Sequence, residues 1–429
     1  MTRIAFIDLG SRLVNFFSAV SRSLGPDIQV FFYCTKPKTR SIASRLGHTV
    51  YPKPGSTPQA TELDDAIKNK ILNDKILFEN PDKKRLTKEL NRVFASLKSF
   101  LEEEKIDTIL LWNGSGLVSS SAIFLAQVKG LRTIYGENGY FYNTMQLDPK
   151  GVNQAASITQ HIANDYLKID IDTARQKDLE ALIHAYRNNK PFQYTQNPHR
   201  VKASLIARIK GETNNLLEKE FKWPGALNRN IPSTPDELPE KYVFIPFQVV
   251  KDSQLLLYSP LVGNDMALFL QHCRAALQAV AEDYRIVVKL HPADVDNIDY
   301  SGLMKTYPDV IFLKDYPSNE LIKSSSLVIT INSTVGVEAL IFDKPVVTLG
   351  NNFYNVPDVV HHVDALSDLP QAIHRALSTP PDRDKTQRLL YYLYHCYFTH
   401  GSWKNYSRQS IEAVAEKLKA LSGSHTAVH

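Results

Sequence analysis

Cysteine is scarce in this chain of 429 residues: the three present, Cys34, Cys273 and Cys396, are odd in number and far apart. That pattern argues against a disulfide framework and against a cysteine-based zinc site, and it fits a reducing, cytoplasmic setting. Long apolar runs are also missing. Nowhere do ~18 uninterrupted apolar residues occur, the length a membrane-spanning helix needs. The opening MTRIAFIDLGSRLVNFFSAV carries Asp8 and Arg12 inside its apolar part, so it reads as neither a signal peptide nor a span. Internal repeats are absent. The formal net charge is only +5, milder than a generic nucleic-acid binder carries, so no nucleic acid is expected as a partner. What charge there is lies unevenly: residues 187–229 hold nine Lys and Arg against three Glu, leaving the rest of the chain near neutral. With 43% hydrophobic and 22% charged residues the composition is that of an ordinary globular protein, and the length favours two domains.

The apolar runs that are present alternate with helical stretches. Residues 3–8 and 28–33 read as strands around a helix over 13–24, a βαβ opening. Residues 61–101 are long, charged and periodically apolar, hence helical. A buried strand over 109–112 ends in Asn113-Gly114-Ser115-Gly116, a helix spans 119–129, and a strand over 133–135 runs into Glu137-Asn138-Gly139. Between 155 and 235 the strand pattern gives way to polar helices and loops. It restarts at 242–246, followed by a helix over 266–282 and a strand over 286–290. Helices are expected over 367–377, 387–397 and 407–421, with a disordered tail over 422–429. Such alternation predicts parallel, doubly wound sheets whose ligands sit beyond the C-terminal strand ends.

The fold expected is therefore α/β of GT-B type: two Rossmann-like domains with a helical insert and a closing C-terminal helix. The first, 1–238, is expected to take the acceptor and to carry the basic insert at 155–235. The second, 239–421, is expected to take a nucleotide-sugar donor.

The richest stretch is 324–354, read as strand, polar turn, helix and strand. Asn332, Ser333 and Thr334 form the turn, where free N–H groups and two hydroxyls suit a phosphate. Glu338, one turn into the helix, suits a sugar's hydroxyls; the alternative is a plain capped helix with a surface Glu. Lys289-Leu290-His291-Pro292 ends a strand of the same half, and its Lys and His would bracket the phosphate from the other side. The competing reading is a His that satisfies a local carbonyl. Asp170-Ile171-Asp172 and Asp294-Val295-Asp296 lack a third ligand at a metal-binding spacing, so no metal is expected.

Four stretches in this order resemble the capsule polysaccharide synthesis family, the Kdo (ketodeoxyoctulosonic acid) transferases of bacterial surface glycans. They are Glu137-Asn138-Gly139-Tyr140 leading to Asp148-Pro149-Lys150-Gly151-Val152-Asn153; 247–254, with Gln248, Asp252 and Ser253; Lys289-Leu290-His291-Pro292; and Ile331-Asn332-Ser333-Thr334-Val335-Gly336 through Lys344-Pro345 to Gly350. The likeness covers roughly 112–354 and is strongest to the single-domain members that start a Kdo linker on phosphatidylglycerol. It implies a CMP-Kdo donor, retention of anomeric configuration, a carboxylate nucleophile in the Gln248–Asp252 stretch and a second carboxylate in the Glu-x-Gly turn. Asp252 is then the candidate nucleophile and Glu137 the candidate acid/base, a pairing that retaining transfer by double displacement requires. Each also reads as an ordinary cap or turn residue. Asp148 reads equally well as a β-turn residue. A CMP leaving group carries one phosphate, which Lys289, His291 and the turn can stabilise without a metal or other cofactor.

Phe141, Tyr142 and Asn143 stand where the family often carries Arg-Pro, so the acceptor stays open: lipid-linked or glycan. Competing readings are a GT-B transferase with another nucleotide donor, including glycerol-phosphate transfer of the teichoic-acid kind, and a non-catalytic basic scaffold. In the basic insert, Leu205, Ile206, Ile209 and Leu216 flanked by Arg200, Lys202, Arg208, Lys210 and Lys219 have the composition of a helix lying on an anionic bilayer. That composition predicts peripheral attachment at the inner face of the cytoplasmic membrane. A helix with a solvated basic face is the alternative.

Overall fold

A computed structural model describes residues 1–53, 62–72, 82–188, 227–404 and 406–423. Its contacts divide the chain into two units, Met1–Tyr166 with Tyr392–His429, and Leu167–Tyr391.

In the first unit β1 (Thr2–Ile7), β2 (Ile28–Tyr33), β3 (Val50–Tyr51), β4 (Thr108–Trp112) and β5 (Arg132–Asn138) are parallel, and β6 (Thr144–Asp148) pairs antiparallel with β5. Alternate residues of β1 serve opposite faces. Ile4 and Phe6 join a core with Leu13, Phe16 and Phe17 of the Ser11–Ser21 helix, while Ala5 and Ile7 pack with Leu90, Leu97 and Phe100 of the Lys83–Glu103 helix. Covering both faces explains why these strands are uninterrupted apolar runs.

The second unit is a fully parallel sheet of β7 (Tyr242–Pro246), β8 (Arg285–Lys289), β9 (Val310–Leu313), β10 (Leu327–Thr330), β11 (Val346–Thr348) and β12 (His361–His362). Its order, β12-β11-β10-β7-β8-β9, is that of a doubly wound nucleotide-binding sheet. The winding reverses between β7 and β10, the switch point beyond which ligands of such sheets bind. The Met266–Val280 helix, capped by the Asp265 carboxylate on the N–H groups of Ala267 and Leu268, buries Phe269, Leu270, Cys273 and Leu277 on one face of the sheet.

The expected pair of Rossmann-like halves is present, with three corrections. First, the closing helix, Arg408–Leu421, does not belong to the second half. Its Val414, Ala415 and Leu418 enter the core beneath β1, and β13 (Thr399–His400) adds to β6, giving the first sheet the order β13-β6-β5-β4-β1-β2-β3. Second, that sheet is not wholly parallel, because β6 runs antiparallel to both its neighbours, β5 and β13. Third, the helix Thr173–Arg187, assigned from sequence to the first half, falls in the second unit, where Arg187 pairs with Asp343 at 2.8 Å and donates to the Ile341 carbonyl. The amphipathic part of the basic insert lies outside the described residues, as does the tail from 424 onward.

Candidate functional site

In the second unit the site is built around one buried amide pair. Gln248, two residues beyond β7, donates from Nε2 to Asn332 Oδ1 at 2.9 Å, and its Oε1 accepts from Asn332 N at 3.1 Å and Thr330 Oγ1 at 3.2 Å. Asn332 Nδ2 in turn donates to the Gln254 carbonyl at 3.0 Å. The loops after β7 and β10 are thereby locked together at the switch point. Polar side chains are buried here because every hydrogen-bonding atom is met, which offsets the cost of desolvation.

Asp252 stands on the first of these loops. Its Oδ1 accepts from Gln254 N at 2.9 Å, capping the Ser253–Tyr258 helix, so the capping role anticipated as the alternative is real. Burial pushes its carboxyl above the ordinary value, against the opposing pull of the Gln254 N–H, His291 and Ser253. The cap bond engages Oδ1, and the Ser253 side chain is a further hydrogen-bond partner of the carboxylate.

His291 follows β8 by two residues. Its Nδ1 accepts from Ala293 N at 3.1 Å, which leaves the ring proton on Nε2, and burial holds the imidazole neutral by lowering its pKa. The competing reading had this ring satisfying a carbonyl; its observed hydrogen bond is instead the one it accepts from a backbone N–H. Lys289, at the end of β8, donates to Ser318 Oγ at 2.7 Å, and burial depresses its pKa while Glu338 and Asp315 oppose that shift. Glu338 is pushed up to about 7 by burial, with Lys289 pulling the other way. Glu338 is half-buried on its helix, not a fully exposed surface residue. Pro292 ends the strand run beside them.

On the turn after β10, Ser333 Oγ accepts from Val335 N at 3.2 Å and Thr334 is the N-cap residue of the Val335–Ile341 helix without a side-chain cap bond. Tyr354 fixes this turn from beneath by donating its phenol to the Ser333 carbonyl. A Cβ on Gly336 would lie 2.5 Å from the Tyr354 Oη, so only glycine fits there.

In the first unit Glu137 and Asn138 are the last residues of β5 and not part of the turn, which starts at Gly139. Gly139 N donates to the Thr144 carbonyl, and any Cβ there would overlap the Thr144 side chain. Asn113, with φ of 51°, closes the end of β4, and its Oδ1 accepts from Ser115 N and Oγ. Asp148 is fully engaged in structure: Oδ1 accepts from Lys150 N at 2.8 Å and Oδ2 from Ser157 N at 2.9 Å and Oγ at 2.7 Å, with Tyr397 Oη at 3.3 Å. It is a buried turn anchor. Phe141, where the resemblance places Arg-Pro, packs on Tyr394 and Phe398.

The structure thus gathers Gln248, Asp252, His291, Lys289, Asn332, Ser333, Thr334 and Glu338 at the C-terminal ends of β7, β8 and β10, and places Glu137, Asn113 and Gly139 at the strand ends of the other unit. Sequence reading missed Asp294, whose Oδ2 accepts from Val250 N at 2.9 Å and ties the loop of Asp252 to that of His291. It also missed Tyr354. Asp294 was visible only as half of an Asp-x-Asp triplet, and its partner is a backbone N–H that leaves no mark in sequence. Asp172 of the other triplet caps the Thr173–Arg187 helix.

Two doubly wound α/β units, one with a polar switch-point cluster, give the chain a fold of GT-B type. The chain belongs to the capsule polysaccharide biosynthesis protein family, whose model matches residues 107–399. It is 29% identical over 309 residues to Protein FixF of Sinorhizobium fredii, covering 72% of this chain and 64% of FixF, so it spans just under two thirds of that relative. It is 23% identical to the capsule polysaccharide export protein KpsS of Escherichia coli, over 62% of this chain and 72% of KpsS. Among solved structures it is similar to the Thermosulfurimonas dismutans KpsC, beta Kdo 2,7 transferase, at 13% identity and a TM-score of 0.48, over 98% of this chain and 99% of that one.

Proposed function

We propose that the protein is a retaining glycosyltransferase of capsule or surface polysaccharide biosynthesis that moves Kdo from CMP-Kdo to a lipid-linked or glycan acceptor. The observation that carries this reading is the switch-point site, where the Gln248–Asn332 clamp holds a half-buried carboxylate, Asp252, in the same loop system as a neutral imidazole, His291. Asp252 attacks the anomeric carbon, and the bond to CMP breaks with its electron pair leaving on the phosphate. His291 Nε2–H, Lys289 and the Ser333 and Thr334 hydroxyls receive that charge, so the step calls on no metal. Glu338 accepts from hydroxyls of the donor. In the second half, Glu137 takes the acceptor's hydroxyl proton as the acceptor oxygen displaces Asp252. Two displacements at one carbon restore its configuration.

The acceptor lies at the inner face of the cytoplasmic membrane in this reading, with the basic residues of 187–229 attracting anionic headgroups at ~1 kcal/mol each. Salt-sensitive sedimentation with phosphatidylglycerol vesicles, lost when Arg208, Lys210 and Lys219 become Glu, tests that attachment. Incubation with CMP-Kdo tests the activity. CMP release without acceptor and Kdo transfer with a lipid acceptor are the expected results. Transfer from another nucleotide donor alone would replace the donor assignment, and inertness towards all donors would leave a scaffold.

A further inference from the structure

The carboxylate of Glu137 does not stand alone at the end of β5. Its Oε1 accepts from Asn138 N at 2.7 Å and from Asn138 Nδ2 at 3.0 Å. The other end of that amide, Asn138 Oδ1, accepts from the indole Nε1 of Trp403 at 2.9 Å. An indole N–H can only donate and a carboxylate can only accept, so the orientation of the Asn138 amide between them is forced. Each end of the relay is braced. Trp403 packs edge-on against Trp112 at the end of β4, with ring centres 6.1 Å apart and planes at 84°. The backbone of Asn138 is held through its carbonyl by Gln146 Nε2 at 2.9 Å, and Gln146 is locked by Asn153, which donates to it at 2.8 Å and accepts from it at 2.9 Å.

The sequence separation matters. Trp403 lies 265 residues beyond Asn138, in the segment that returns to the first unit after the whole of the second has been threaded. The neighbouring Lys404 brings a cation whose pKa burial lowers and Glu137 raises, with Arg12 opposing. The returning segment therefore supplies both a fixed dipole chain and a charge to one carboxylate. A purely structural Trp would need only the ring contact with Trp112. The indole N–H instead ends on the amide that holds Glu137.

We infer that Trp403 is a positioning residue for Glu137, acting through the Asn138 amide so that the carboxylate is held in one rotamer at the strand end. For catalysis this rests on the acid/base role proposed for Glu137; the coupling itself does not. An amide polarised by a donor at one end is a stronger donor at the other, so loss of the indole N–H loosens and weakens the bond to Glu137. A misdirected acid/base group costs turnover more than donor binding.

The chain has three tryptophans, Trp112, Trp223 and Trp403, so its indole ¹⁵N–H spectrum has three resonances, and the Trp403→Phe variant assigns one. The expected result is that the Trp403 resonance moves with pH as Glu137 titrates, and that Glu137→Gln and Asn138→Ala each abolish that movement while the resonance remains. A resonance insensitive to pH, or one whose titration survives Glu137→Gln and so comes from Lys404, overturns the inference. If Trp403→Phe does not fold, the order of resonances in Asn138→Ala makes the assignment instead. In the transfer assay Trp403→Phe is expected to lower kcat roughly 10-fold or more with the donor KM unchanged. Wild-type kcat in a folded Trp403→Phe variant contradicts the positioning role. Full transfer by Glu137→Gln would remove the acid/base reading and leave the spectroscopic coupling to stand or fall by itself.

Discussion

Gln248 and Asn332, separated by 84 residues, exchange two hydrogen bonds across the switch point of the second sheet, side chain to side chain at 2.9 Å and backbone to side chain at 3.1 Å. The loop that carries Asp252 and the turn that carries Ser333 and Thr334 are positioned by this pair. Gln248→Leu preserves bulk but leaves Asn332 N–H, Asn332 Oδ1 and the Thr330 hydroxyl without their partner. Denaturant unfolding is expected to show a loss of about 2–4 kcal/mol, the order of a few stranded buried polar groups. A loss below about 0.5 kcal/mol would mean that water replaces the amide.

Removing the neutral donor at His291 should act on the rate. His291→Ala is expected to lower kcat/KM roughly 10²-fold or more, the effect of losing one transition-state donor. Because the imidazole is already neutral through burial, turnover should not fall on the alkaline side of its depressed pKa. Retention of wild-type kcat/KM with CMP-Kdo would move the phosphate elsewhere.

Glu338 links pH to stability. Its folded pKa of about 7 exceeds the ordinary 4.5, so the folded state holds a proton that the unfolded state releases between these values. The penalty is therefore absent below the lower value, grows as pH rises between the two, and is complete above the higher. Glu338→Gln is expected to raise Tm at pH 8 by a few degrees and to leave it unchanged near pH 4. The same variant should bind CMP-Kdo more weakly. An unchanged Tm at pH 8 would show that Lys289 neutralises the carboxylate fully.

Both α/β halves were legible because strands buried on two faces must be apolar throughout, as at 28–33 and 242–246, where sequence and structure agree to the residue. The ends of elements were less so. Glu137 and Asn138 extend β5 because β6 pairs with them, and a polar strand end of this kind has no periodic signal. The closing helix looked like a cap on the nearer sheet; its apolar face instead joins the core formed by the Ser11–Ser21 helix, a contact nearly 400 residues long that local pattern does not encode. The candidate site was legible where a residue type by itself suggests chemistry, as with Asp252 and His291. Asp294, Tyr354 and Trp403 brace the loops and side chains around the candidate residues through hydrogen bonds to backbone groups and other side chains, and such bonds appear only when the chain is folded.

The central claim is a glycosyl-enzyme on Asp252, and intact-protein mass spectrometry of the enzyme mixed with CMP-Kdo without acceptor tests it most directly. Asp252→Asn is the control, since Asn caps a helix as Asp does and the variant should fold and still bind CMP. The account expects one Kdo residue added to the wild-type chain, mapped by peptide analysis to Asp252, absent from the Asn variant and discharged by acceptor. A stable adduct on Glu137, or full transfer by Asp252→Asn, would contradict it.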